Sequence, residues 1–368
     1  MKGIFDVIHV AEPALVGNER KYVLDCLDRN QLTMGYYVES LEREFAKFCG
    51  TKYALATANG TVALHLILKA IRIGPGDFVI VPNITYVATA NAVTYCGATP
   101  VFADVNETWC IDPEEVGKLA SALGRKAKAV LPVHLYGLPC DMTGLYDAVR
   151  GSGILIVEDA AESFGSSWHG CRTGSLGTAG MFSLYANKIL IAGEGGIITT
   201  DDRDLYEHMK LLRGQGVDPS RRYWHTEVGY NYRMTDLQAA IGLGQIEMAD
   251  WHIKKRQEVF AKYSEHLSET EELSFQPTRA NTGHVRWMVV VVFSSEKNRD
   301  AIAEKLLENG IETRPVFPQI THFPMYREHK EFPMSENISK QGLCLPTHAK
   351  LLDDEIEFIC DRLKEALG

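Results

Sequence analysis

The sequence predicts an α/β protein: a mostly parallel central sheet with helices on both faces, followed by a smaller α+β region at the C-terminal end. Two observations predict it. Over roughly the first 250 residues, apolar runs of strand length alternate with runs of helix length, the rhythm of β-α-β units. The strand-like runs are apolar almost without interruption, as strands covered on both faces are. The 368 residues also exceed the size at which one core stops growing. A large domain over residues 1–250 and a small one over residues 251–368 are therefore expected.

The elements follow in order. "KYALAT" (Lys52–Thr57) reads as a strand leading into the helix "GTVALHLILKAI" (Gly60–Ile71). The turn "GPGD" precedes the strand "FVIVP", then a helical "TYVATANAVTYCG" and the strand "TPVFADV". Asp112 caps a helix at "DPEEV", and "AKAVLPVHL" follows as a strand. A helix near Asp141–Arg150 precedes the strand "GILIVEDA". From about Met234 to His266 the pattern is helical with no obvious stop, so this stretch is expected to bridge the two domains. Beyond it come a β-rich "HVRWMVVVVF", a helix near Asn298–Asn309 and the strand "IETRPV". Ile356, Ile359, Cys360, Leu363 and Leu367 then mark the buried face of a last helix.

Composition excludes some functions. A net charge of −10 argues against nucleic acid or an anionic membrane as the main partner. The N-terminal stretch lacks a signal-peptide pattern, and no window is apolar enough to span a bilayer. The eight cysteines are scattered without a C-x-x-C pair, which favours free thiols in a reducing cytoplasm and no metal site.

In open α/β sheets ligands bind beyond the carboxyl ends of the strands, and three such ends stand out. In "TANGTVAL" the backbone at Asn59 and Gly60 turns into a helix opened by Thr61, a ready anion site; the same residues also make an ordinary capped turn. In "GILIVEDAAESFG" a buried strand ends in Glu158 and Asp159, with Glu162 after them; taken alone, Asp159 with Glu162 reads rather as a helix-capping pair. In "FSLYANKILIAGEGGIITT" Ser183 and Lys188 flank a loop next to a glycine cluster. A lysine held in such a pocket becomes a nucleophile toward a carbonyl, whereas most loop lysines are merely solvated. The three together meet the needs of pyridoxal 5′-phosphate (PLP): an amine for a Schiff base, an acid for the pyridine nitrogen and donors for the phosphate. Tyr86, in "PNITYVATA", reads as a residue to stack on its ring or as a helix-start residue in the core.

The motifs "NGTVALHL", "GPGDFVIVPNITYVATANAV", "VHLYG", "VEDAAESFG", "GSLGTAGMFSLYANK", "GEGGIITT", "LLRGQG" and "GYNYRMTDLQAAIGL" resemble, end to end, the DegT-type PLP-dependent sugar aminotransferases. That resemblance implies the aspartate aminotransferase fold (fold type I) and a homodimer with shared active sites. It implies Lys188 as the covalent anchor, Asp159 on the pyridine nitrogen and Glu162 against the ring. Asn59, Gly60, Thr61 and Ser183 would surround the phosphate, and Asn231 would reach the neighbouring subunit's phosphate.

Within the family, "CDM" after "VHLYG", the Asn187–Lys188 pair and the segment around Arg221 and Arg222 resemble the branch that aminates C4 of GDP-4-keto-6-deoxymannose with glutamate as donor. Such products are precursors of surface polysaccharide. Arg221 and Arg222 read as a diphosphate clamp or as a solvated pair. Tyr185, Arg314 and His322 are expected near the sugar. Tyr185 replaces a histidine that many relatives carry, and His322 stands one position after the expected histidine. The same chemistry on a UDP- or dTDP-linked sugar is the alternative. Sugar dehydration by this family typically replaces the lysine with histidine, and Lys188 counts against it. A nucleotide-sugar oxidoreductase would show G-x-G-x-x-G, which is absent. A binding protein on this fold would be expected to lose Lys188 or Asp159.

Overall fold

The computed structural model describes residues 7–294 and 296–368. Its centre is a sheet of seven strands: β1 Tyr53–Thr57, β2 Phe78–Pro82, β3 Thr99–Ala103, β4 Ala127–Val130, β5 Leu155–Asp159, β6 Ala179–Ser183 and β7 Gly196–Thr200. They lie in the order β1-β7-β6-β5-β4-β2-β3. Contacts among β2 to β6 are parallel, while β7 runs antiparallel to both β1 and β6. The antiparallel β7 arises because β6 and β7 form a hairpin in which Ser183 pairs with Gly196.

Neighbouring residues on the central strands enter different cores, so both faces of the sheet are covered. Met181 and Ile198 pack with Leu64 and Leu68 of the helix Gly60–Ala70. Phe182 and Ile197 pack with Leu41 and Phe45 of the helix Tyr36–Cys49 and with Leu243. Each such side chain contributes about 1.5–3 kcal/mol on leaving water, which accounts for the unbroken apolar reading of these strands.

A second, four-stranded antiparallel sheet uses Leu273–Phe275, Val289–Phe293, Gly342–Leu345 and Arg314–Pro315. Its core includes Val289, Val291, Phe293 and the last helix, Asp353–Leu367. All five residues expected on that helix's apolar face are buried.

Three expectations change. The Met234–His266 stretch is two helices, Asp236–Glu247 and Ala249–Leu267, separated at Met248, whose non-helical backbone (φ −105°, ψ 19°) breaks the first ladder. The helix expected from "TYVATANAV" begins only at Ala88, so Tyr86 lies in the preceding turn. No helix follows Asp159, and its pairing with Glu162 is not a cap. The capping reading fails because the chain turns there at Ser163 and Ser166 instead.

Candidate active site

A cavity of about 740 Å³ opens at the carboxyl ends of the parallel strands and is closed on one side by the second sheet. Asn59, Gly60, Thr61, Tyr86, Asp159, Glu162, Ser183, Tyr185, Lys188 and Arg314 all line it. The strand pleat explains why one acid of the β5 pair faces it and the other does not. Glu158 points away from the cavity. Its carboxylate accepts from His134 Nε2 at 3.0 Å and from the N–H groups of Gly174, Leu176 and Gly177 at 2.7–2.8 Å. The Cys140 N–H donates to His134 Nδ1, so Nε2 carries the proton of a neutral ring.

Asp159 is buried and takes the Thr89 hydroxyl at 2.8 Å and the Ala161 N–H at 3.2 Å. Burial raises its pKa, against the pull of these bonds and of Lys188. Glu162 accepts the Tyr136 N–H at 2.7 Å and lies 3.6 Å from Lys188 Nζ. Burial pushes its carboxyl up to about 7, with Lys188 opposing. Lys188 sits in the hairpin loop between β6 and β7, and burial lowers its pKa while Glu162 and Asp159 oppose the fall. Burial thus moves the acid up and the amine down, while the field of each opposes the shift of the other.

At the other end of the cavity, the helix Gly60–Ala70 points its N-terminus inward. Asn59 Oδ1 caps Val62 N–H at 3.0 Å, and the first-turn N–H groups of Gly60 and Thr61 have no partner within the helix. A Cβ on Gly60 would lie 3.1 Å from Met181 Sδ and 3.3 Å from Ser183 Cβ, so only glycine leaves this corner open. The glycine cluster serves packing as well: a Cβ on Gly196 would lie 2.5 Å from the Asn59 carbonyl oxygen. An anion corner, a buried acid and a lysine of lowered pKa around one cavity fit PLP in donor type and placement.

Four expected residues lie elsewhere. Arg221 and Arg222 stack on Trp224 and Tyr223 in an exposed loop, at 3.9 and 4.9 Å, and do not line the cavity. Asn231 is exposed and bridges to Gly214. His322 is exposed beside Gln319, while its neighbour Thr321 is buried against Asn83. Conversely, Thr89, Tyr136, Trp287 and Phe317 line the cavity without having been singled out for a role. Thr89 and Tyr136 stood inside quoted motifs; Trp287 and Phe317 lie in the segments flanking strands Val289–Phe293 and Arg314–Pro315 of the second sheet.

A model of the DegT/DnrJ/EryC1/StrS aminotransferase family matches residues 13–364. The chain belongs to this family. It is 45% identical over 367 residues to the GDP-perosamine synthase of Caulobacter vibrioides, covering 98% of each chain. The GDP-perosamine synthase of Escherichia coli O157:H7 is 38% identical over 361 residues, covering 97% of this chain and 98% of the other. The PLP form of the sugar aminotransferase Spr1654 from Streptococcus pneumoniae superimposes with a TM-score of 0.92 at 25% identity, over 98% of both chains. The protein is thus a PLP-dependent aminotransferase with the α/β fold of the sugar aminotransferases. Among the described residues no helix is long and apolar enough to cross a membrane.

Proposed function

We propose that this enzyme moves the amino group of L-glutamate to C4 of GDP-4-keto-6-deoxy-D-mannose, giving GDP-perosamine. The observation that carries the sugar is the 45% identity, over 98% of both chains, to an enzyme of that name. When bound, PLP supplies an electron sink that lets a C–H bond beside the amine break.

The chain's own residues do the rest. Lys188 Nζ would hold the cofactor at rest and, once free, would carry a proton at its amine. Asp159 keeps a proton on the pyridine nitrogen, with Thr89 orienting the carboxylate. Gly60 and Thr61 N–H groups and the Ser183 hydroxyl hold the phosphate, with Asn59 framing the turn. Tyr86, Glu162, Tyr185 and Arg314 line the same cavity; Tyr86 and Glu162 would flank the ring, and Tyr185 and Arg314 would meet the substrates. Arg221, Arg222 and Asn231 serve the neighbouring protomer of a homodimer. Their exposed loop, in which Tyr223 is 79% and Val228 88% accessible, supports this because it offers apolar surface with no cover from its own chain. We place the enzyme in the cytoplasm, where its eight free cysteines persist as thiols.

The test is a half-reaction screen. Pyridoxamine-form enzyme is mixed with GDP-, UDP- and dTDP-linked 4-keto-6-deoxy sugars, and the return of the cofactor's visible absorption is followed. The GDP compound is expected to react at least about tenfold faster, a margin of about 1.4 kcal/mol. A faster UDP or dTDP sugar reassigns the nucleotide, and no response to any sinks the sugar reading. Lys188→Ala protein is expected to turn over nothing.

A further inference from the structure

Trp287 has no part in the assignments above, yet its indole lies against the amine at the centre of the site. Lys188 Nζ is 3.8 Å from the ring centroid of Trp287. The same nitrogen is 3.6 Å from Glu162 Oε1. An indole face is the best of the aromatic faces for a cation, and a desolvated one is the strongest case. Trp287 is buried.

Both neighbours of the amine are tied to one residue. The Tyr136 N–H donates to Glu162 Oε2 at 2.7 Å, and the Tyr136 carbonyl accepts the Trp287 N–H at 3.1 Å. Tyr136 is itself buried and held at φ +53°, a left-handed conformation uncommon for a bulky side chain. Its ring lies nearly parallel to that of Trp287, 6.0 Å and 11° apart, and to that of Phe317, 5.6 Å and 8° apart. The indole is held further by its Nε1–H, which donates to the Asn187 carbonyl at 2.8 Å, and its own carbonyl accepts from Arg256 at 3.0 Å. The indole and the carboxylate are therefore held in place, and the flexible partner is the lysine.

We propose that the Trp287 indole face and the Glu162 carboxylate form a rigid cradle that receives the Lys188 amine whenever it is released from the cofactor, and that Trp287 is thus a positioning residue of amino transfer. The proposal rests on reading Lys188 as the covalent anchor. Once the donor amine has displaced it, the lysine stays free until it displaces the product amine, so it must wait within reach of the reacting carbon. A free lysine spreads over many rotamers; one seated on a carboxylate and an indole face keeps one. The charged and titratable groups that line the cavity with it are Asp159 at the end of β5 and Glu162 after it, Tyr185 and Glu194 on its own hairpin, Tyr86 and Tyr95 after β2, Tyr136 after β4, and Arg314 and Cys344 from the second sheet. Burial works against the ammonium, whereas the carboxylates favour it. The indole face adds to the carboxylates' side, so loss of either jaw makes the amine easier to deprotonate.

The experiment uses full-length enzyme in the pyridoxamine form, where Lys188 is free. Competitive labelling with acetic anhydride across pH, read on the Lys188 peptide by mass spectrometry, gives the midpoint of its titration. Trp287→Leu and Glu162→Gln are each expected to lower that midpoint by about one unit, seen as about tenfold faster labelling at a fixed pH below it. Trp287→Phe keeps an aromatic face but loses the bond to Asn187, and is expected to stay within about half a unit of wild type. Unchanged midpoints in Trp287→Leu and Glu162→Gln overturn the proposal. If Trp287→Leu does not fold, Glu162→Gln against Trp287→Phe still decides: an unmoved Glu162→Gln, or a full-unit fall in Trp287→Phe, overturns it. The underlying reading is tested apart from this, because borohydride reduction of the pyridoxal form must leave the cofactor on the Lys188 peptide. Attachment to another lysine refutes the anchor whatever the midpoints show.

Discussion

Glu162 shows how one side chain ties folding to pH. Its carboxyl is pushed up to about 7 in the folded chain, chiefly by burial, against an ordinary value of 4.5. An acid whose folded pKa is raised binds its proton more tightly when folded. As pH rises from about 4.5 to about 7 the unfolded chain ionises first, and the group's contribution to stability falls across that window. Below the window both states are protonated and the contribution is nil. Cofactor-free wild type and Glu162→Gln should therefore have similar melting temperatures near pH 4. By pH 7.5 the variant should gain on wild type by an amount on the order of 1 kcal/mol, moderated by the loss of the carboxylate beside Lys188. Calorimetry on both proteins over this range checks it. A constant difference at all pH values would mean that Glu162 has the same pKa in the folded and the unfolded chain. Asp159, also raised by burial, adds a fall in the same direction to both proteins.

At the scale of the element, strand β5 shows what sequence makes legible and what it hides. Its apolar run and its two terminal acids announce a buried strand ending at a site, and the fold bears this out. That Asp159 enters the cavity and Glu158 does not follows from the alternation of side chains along a strand. Which acid takes which face depends on register, and register is set by β4 and β6. Glu158 instead gathers the N–H groups of Gly174, Leu176 and Gly177, from a short glycine-bounded loop with no local sign of an acid partner. Glu158→Gln would set an amide N–H₂ against backbone donors and the donating His134 Nε2. The expected cost is about 2–4 kcal/mol, since a buried acceptor of four bonds cannot be half replaced. Urea unfolding of the cofactor-free variant measures it; a loss below 0.5 kcal/mol, about the size of an ordinary surface change, would show that the loop holds without this anchor. The same limit explains Trp287 and Phe317. They reach the cavity by tertiary placement of the second sheet, and no local period or spacing points there. The Gly60 corner, Asp159 and Lys188 were legible because each joins a strand end to an unusual residue type, a local feature.

At the scale of the whole molecule, the proposed homodimer turns on where the expected residues lie. Lys188, Asp159 and the anion corner converge in one cavity, whereas Arg221, Arg222 and Asn231 lie on exposed surface away from it. Asn231 cannot swing inward alone. Tyr230 and Tyr232 on either side of it stack on one another at 4.8 Å, and Tyr232 bonds His65 of the helix that carries the anion corner. Backbone bonds from Tyr230 and Tyr232 to Leu212 and Arg213 clamp the segment further. If the neighbouring protomer receives Asn231, the two-fold symmetry of a homodimer puts the lysine and the asparagine of each site on different chains. Two variants crippled separately, Lys188→Ala and Asn231→Ala, should then complement one another when mixed and exchanged. In the hybrid dimer one cavity carries both lesions and the other carries neither. With random exchange half the dimers are hybrids, and one of their two sites is intact, so about a quarter of wild-type activity should return. Each variant alone should stay well below that level, and the recovered activity should follow the hybrid fraction measured by native mass spectrometry. Activity that never exceeds the mean of the two separate variants would place Asn231 and Lys188 on the same chain's site, or Asn231 outside the site altogether.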